Sequence, residues 1–350
     1  MSDNIFMQKE IILIDDFDCK DEMSHGEACI HIIKNIYPKA RVKTIGLKFH
    51  NGKTDITELL KALEWCIVQQ VKLIHLSLGT VNYNDSLKLK IKINMLIEQG
   101  SIIVTAFHNA NIITWPAIFP KVFGVIQDRD GFMENGQYSF VSDQLGKKDI
   151  IIAHYSDELL EKNYGKICAQ WSNSFAAPVI TAIIYQYMGL HTGCNYQDVI
   201  NYLKINAVNN KRERCLIQRY PILDGESSIP NIAMYGNGKW QDELIRLFRS
   251  EEYRVEILEE DETFYIPLHL YLPYGSISKK LIKGIEYIYK ADVFLYILKE
   301  ISHNRDIEIS IFDVNIIENR GIFNVIRNDH TEKNYVDIME MYQEIKSYFQ

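Results

Sequence analysis

The feature that most constrains how this chain can fold is an alternation, sustained from Ile11 to about Asn210, of short β-branched apolar runs with longer amphipathic segments. A strand buried on both faces reads as a continuous apolar run, and parallel strands need a helical crossover between them. The alternation therefore predicts βαβ units and an α/β fold, a parallel sheet with helices on both faces. The candidate strands are IILID (11–15), VKTIGL (42–47), KLIHLSL (72–78), SIIVTAF (101–107), KVFGVI (121–126) and DIIIAH (149–154). Between them, GEACIHIIKNIY sets Cys29, Ile32, Ile33 and Ile36 on one helical face, and ITELLKALEWCIVQQ does the same with Leu59, Leu63 and Ile67. SLKLKIKINMLIEQG alternates more strictly, yet its place between two strands and its terminal Gly100 predict a helix.

Beyond Asn210 the character changes, with the charged NNKRER and the turn-rich PILDGESSIP. Residues 1–210 hold 20 basic and 22 acidic groups, and residues 211–350 hold 18 and 24, so most of the negative charge lies late in the chain. The later region has its own strand candidates, IPNIAMYG, FYIPLHLYL, DVFLYIL and IEISIFDV. Helical SKKLIKGIEYIYK lies among them and VDIMEMYQEIKSYF closes the chain. Two domains are predicted, 1–210 and a smaller accessory α/β domain over 211–350. The acidic EEYRVEILEEDE reads as a solvated loop.

With 38 Lys and Arg against 46 Asp and Glu, the net charge of −8 supplies no basic field for nucleic acid or an anionic membrane. No apolar run approaches the roughly 18 residues of a membrane span, and MSDNIFMQKE lacks a signal-peptide core. The expectation is a cytoplasmic protein without nucleic-acid or membrane partners. The six cysteines form no C-x-x-C pair and the ten histidines no H-E-x-x-H, so no metal or cofactor is expected. Gly236, Gly238 and Lys239 lack the spacing of a phosphate loop and read as a strand-to-helix turn.

Three segments place polar residues where a strand ends or a helix begins, the positions at which α/β sheets present functional groups. IILIDDFD ends a strand in Asp15, His25 precedes a glycine at a helix start in MSHGEACIHII, and Ser174 opens an apolar helix in QWSNSFAAPVITAII, whose first turn accommodates Pro178. A fourth, SIIVTAFHNAN, ends a strand near Asn109, whose carboxamide can donate to an oxyanion. Singly, each also reads as a cap or turn residue.

Together they resemble the subtilisin-like serine peptidases, in register over about 200 residues. HGEAC is similar to the family's His-Gly helix start and SNSFAAP to its serine box. ALEWCIVQQVKLIHLSLG resembles the helix and strand leading to a substrate-binding Ser-Leu-Gly, here Ser77, Leu78 and Gly79. TWPAIFPKVFGVI and YSFVSDQLGKKDIIIAH follow in the family's order. Asp, His, Ser is also its triad order.

The resemblance implies a Ser174 nucleophile, His25 as general base, Asp15 fixing the imidazole, and an oxyanion shared by Asn109 and the Ser174 N–H. A peptide or protein substrate would pair as an extended strand with Ser77–Gly79. The chain departs from the family at Phe17, Phe107, His108 and Asn173. Thr114 stands where a glycine often opens the floor of the primary specificity pocket, so that pocket is expected to narrow. No calcium-binding loop is recognisable. Asp15 lies too near Met1 for an N-terminal prodomain, so either a prodomain is removed before this numbering begins or the enzyme folds without one, and Met1 with no signal peptide favours the second. These features point to an intracellular processing endopeptidase of narrow specificity, for instance removing the leader of a ribosomally made, modified peptide. A catalytically inactive peptide-binding relative and a partner-activated defence protease are the alternatives.

Overall fold

The computed structural model describes residues 10–17, 23–48, 54–143, 148–209, 214–215, 217, 220–236, 238–261, 271–273, 277–289, 291–299 and 309–349. They fall into two compact units, Met1–Arg219 and Tyr220–Gln350. Among the described residues, no helix is long and apolar enough to cross a membrane.

In the first unit, strands β1 (Ile11–Asp16), β2 (Val42–Leu47), β3 (Leu73–Leu76), β4 (Ile102–Ala106), β5 (Phe123–Gln127), β6 (Tyr138–Asp143), β7 (Asp149–Ala153) and β8 (Arg214–Cys215) form one sheet in the order β2-β1-β3-β4-β5-β7-β6-β8. Pairing is parallel from β2 through to β7, and β6 runs antiparallel to β7. The helices are α1 (His25–Ile36), α2 (Ile56–Val68), α3 (Tyr83–Glu98), α4 (Glu158–Tyr164), α5 (Lys166–Trp171), α6 (Asn173–Leu190) and α7 (Tyr196–Asn206).

Both faces of the sheet are covered at its central strands β1, β3, β4 and β5. Ile11 and Leu13 join Cys29, Ile32 and Ile33 of α1 and Phe175 and Ile180 of α6 in one core, while the alternating Ile12 and Ile14 are equally inaccessible from the other side. This is the subtilase-like α/β architecture that the sequence predicts. From β1 the chain moves to one side into β2, then returns across β1 to β3. The strand order thus reverses between β1 and β3, and the crevice beyond the carboxyl ends of two such strands is where open α/β sheets place their sites.

The second unit is smaller and built on a seven-stranded sheet. Its strands are β9 (Asn231–Tyr235), β10 (Val255–Asp261), β11 (Tyr271–Pro273), β12 (Val293–Leu298), β13 (Val314–Asn319), β14 (Ile322–Arg327) and β15 (Glu332–Tyr335), in the order β11-β10-β12-β9-β13-β14-β15. Helices α8 (Lys239–Ser250) and α10 (Ile338–Ser347) supply Leu244, Phe248, Met341 and Tyr342 to a core with Ile232, Leu295 and Ile316, and α9 (Lys279–Ile288) lies between them in the chain.

Several predicted elements differ here. In the described part of IEISIFDV, Ile309 ends a helical turn, residues 310–313 turn and bend, and the strand begins only at Val314. The acidic stretch taken for a loop contains β10, in which Val255 and Ile257 pack against the core with Glu256 between them, and Leu258 is fully buried. Most of FYIPLHLYL lies outside the described residues. Gly236 and Gly238 do form a plain strand-to-helix turn, with Gly238 as the N-cap of α8.

Candidate active site

Four pieces of backbone converge at the carboxyl end of the first sheet. β1 ends on Asp15 and Asp16, β3 runs into Ser77, β4 leads to His108 and Asn109, and α6 begins at Asn173. His25 is the first residue of α1 because Ser24 caps that helix. The Ser24 hydroxyl accepts from the Glu27 N–H, while the Glu27 carboxylate accepts from the Ser24 N–H at 2.8 Å. This reciprocal S-x-x-E box was present in the sequence and fixes where the helix starts. Gly26 follows because the Phe17 ring lies against it, and a Cβ there would stand 2.4 Å from that ring.

Asp15 is 2% exposed, and both its carboxylate oxygens lie 2.9 Å from His25 Nδ1. On the other side of the ring, Nε2 is 2.8 Å from Ser174 Oγ, and Phe175 stacks on the imidazole. Burial alone would push the His25 imidazolium down, but the Asp15 carboxylate outweighs it and holds His25 well above its ordinary value of 6.5. The sequence placed these three residues 10 and 149 positions apart, and the fold brings them into one hydrogen-bonded line.

Pro178 lies in the second turn of α6, one turn further in than the sequence suggested. Lacking an N–H, it leaves the Ser174 carbonyl, four residues earlier, without its helical donor. The Ser77 hydroxyl donates to that oxygen at 3.0 Å instead, and the Cys29 thiol approaches it at 3.8 Å. Ser77 is supported in turn by His75 Nε2 at 2.6 Å, while His75 Nδ1 meets Thr181 Oγ1 at 2.7 Å. Burial pushes His75 down to about 4, so it is neutral at physiological pH. The sequence reading did not single out His75, because a histidine in an apolar strand carries no distinguishing local signal.

Asn109 is exposed, and its Oδ1 accepts from the Asn173 N–H at 2.9 Å, turning Nδ2 toward Ser172 Oγ at 3.5 Å. Asn173 is wholly buried and acts as a brace. Its Oδ1 accepts from the Gln127 N–H at 2.9 Å, and its Nδ2 donates to the His108 carbonyl at 2.9 Å and to Asn111 Oδ1 at 3.0 Å. Arg129 donates to the Asn109 carbonyl. Thr114, 2% exposed, faces Gly79 so closely that a Cβ on Gly79 would lie 2.7 Å from the threonine methyl. Thr80 and Trp115 exchange backbone hydrogen bonds at 2.8 Å, tying the strip after β3 to the Thr114 segment. Leu78 is half-buried and Gly79 exposed. A cavity of about 600 Å³ adjoins Asn109 and Ser172, lined also by Arg129, Tyr164, Ile167 and Trp171.

Asp15, His25 and Cys29 also bring three metal-type donor atoms within 4.8 Å, the group of this kind among the described residues. They do not suit a metal. Asp15 already accepts from His25 and from the Asp16 N–H at 2.8 Å, and burial pushes the Cys29 thiol up, away from the thiolate a metal requires. What the arrangement can do is move a proton. With Nδ1–H given to Asp15, Nε2 can take the Ser174 proton and leave an oxygen nucleophile beside the first-turn N–H groups of α6.

The carboxylate, imidazole and hydroxyl thus form one hydrogen-bonded line at the carboxyl end of the sheet. No family model matches the chain. The minor extracellular protease Epr of Bacillus subtilis (strain 168) is 29% identical over 118 residues, 30% of this chain, and the chain spans 18% of that relative's length. Among solved structures, the prenylagaramide maturation protease PagA aligns with 62% of this chain and 92% of its own at 19% identity and a TM-score of 0.46. A lanthipeptide protease aligns with 59% and 82% at 11% identity and a TM-score of 0.43. The cytoplasmic location expected from the sequence does not stand, because the curated relative is an extracellular protease. A missing signal-peptide pattern was too weak a ground for that placement.

Proposed function

We propose that the first unit is a subtilisin-like serine endopeptidase, with the second as its accessory domain. Ser174 Oγ attacks the substrate carbonyl carbon as His25 Nε2 takes its proton. His25 then returns that proton to the leaving amine, and water hydrolyses the resulting ester by the same route. Asp15 holds the tautomer and stabilises the imidazolium. Asn109 Nδ2 and the Ser174 N–H receive the oxyanion, and the Ser77–Gly79 edge pairs with an extended peptide. The single observation that carries this reading is the line from Asp15 through His25 to Ser174, with contacts of 2.9 and 2.8 Å.

The finer reading is a processing enzyme of narrow specificity, such as one that removes a leader from a ribosomally made, modified peptide. It rests on Thr114 filling the space opposite Gly79. A fluorophosphonate probe tests the chemistry: a single adduct on Ser174 of the folded protein is expected, and no adduct would refute it. Digestion of unstructured casein at many unrelated sites would refute the narrow specificity.

A further inference from the structure

Ser172 precedes α6 as its N-cap, yet its hydroxyl makes no bond to the first turn. A serine in that position ordinarily accepts an N–H two or three residues on, as Ser24 does for α1. The Ser172 hydroxyl turns the other way, lying 2.7 Å from Ser174 Oγ and 3.5 Å from Asn109 Nδ2, with the residue only 5% exposed. In the reactive form, with His25 neutral and its Nδ1–H given to Asp15, Ser174 O–H donates to Nε2, so the Ser174 oxygen accepts from Ser172 O–H, and Asn109 Nδ2–H points at the Ser172 oxygen. One hydroxyl oxygen therefore lies within reach of both the nucleophile and the carboxamide, on the side to which Asn109 Nδ2 donates.

We propose that the Ser172 hydroxyl occupies the oxyanion position of the resting site and must turn aside before acylation. This rests on the reading of Ser174 as the nucleophile. While in place, the hydroxyl holds a Ser174 lone pair needed for attack and takes up the Asn109 N–H needed by the oxyanion. Ser172 also lines the adjoining cavity, which gives the side chain room to rotate. The hydroxyl is thus a competitor of substrate, set by one torsion.

The test compares Ser172→Ala, Ser172→Gly and Ser172→Thr with the unaltered chain. It measures the rate at which a fluorophosphonate phosphonylates Ser174, with fluoride leaving, and the inhibition constant of a peptide aldehyde, whose adduct places an oxygen in the hole. Removing the hydroxyl should speed phosphonylation and tighten aldehyde binding roughly two- to tenfold, the span of one neutral hydrogen bond. Ser172→Thr, which keeps the hydroxyl, should remain near the unaltered chain. Glycine is well accepted at an N-cap, so it covers the case in which the alanine variant does not fold. If the unaltered chain is labelled on Ser174 and both truncations react at the same rate or more slowly, the inference is wrong and the peptidase reading survives. If no variant is labelled, the peptidase reading fails and the inference with it.

Discussion

Both units bury polar side chains in a largely parallel sheet, but they put them at opposite ends of the strands. In the first unit Asp15 lies near the carboxyl end of β1, and its network reaches the surface through the His25 side chain, which is 28% exposed. In the second, Asn231 opens β9 and Asn315 is the second residue of β13. These two satisfy their neighbours internally: Tyr296 donates to Asn231 at 3.0 Å, Tyr235 donates to Asn315 at 3.2 Å, and Asn315 donates to the Ile309 carbonyl at 3.0 Å. The same class of fold thus holds one polar network that keeps a hydroxyl and an imidazole available and one that closes on itself. Architecture alone does not say which sheet does chemistry; the position of the polar groups along the strands does.

The comparison can be broken most sharply at Ser174. Ser174→Ala should lower peptide hydrolysis by on the order of 10⁶, since the nucleophile and its base act as a unit. Asn109→Ala should lower kcat by roughly 10²–10³ with little change in KM, the cost of one oxyanion donor; an equal loss in KM would make Asn109 a ground-state contact. The pH profile gives a smaller effect with a definite sign. Because Asp15 keeps His25 charged above 6.5, activity should be low in acid and rise with pH through a midpoint above that value. Asp15→Asn should move the midpoint down along with a large loss of rate, and a rate–pH curve rising below 6.5 in the unaltered chain would contradict the pairing. The smallest effect belongs to the second unit. Asn315→Ala removes the buried hydrogen bonds to the Tyr235 hydroxyl and the Ile309 carbonyl, so its thermal unfolding should report a loss of about 1–3 kcal/mol. Fluorophosphonate labelling should not change, and loss of labelling there would mean that the two networks are coupled.

The parallel sheet was legible because its strands are continuous β-branched runs, buried on both faces, and Asp15, His25 and Ser174 were legible because each stands at an element boundary. Asn109 stood out for the same reason. The bracing role of Asn173 did not, since it lies in contacts to Gln127 and His108, more than 40 positions away, and Ser172 read as an ordinary cap although its hydroxyl faces Ser174 and Asn109. The second unit was read less well. In IEISIFDV the alternating apolar residues imitate a strand although the chain turns there. In β10 the glutamates masked a real strand whose inward positions, Val255 and Ile257, follow the two-residue period. The Arg320–Gly321 turn that joins β13 to β14 places both residues at positive φ, a hairpin signal that the charged neighbours obscured.

The most direct test is to trap the covalent intermediate. The folded chain, mixed with an unstructured peptide substrate and quenched in acid within milliseconds, should carry an acyl group on Ser174 by mass spectrometry, and Ser174→Ala should carry none. An acyl group on the neighbouring Cys29 instead, or hydrolysis that proceeds unchanged without Ser174, would contradict the account.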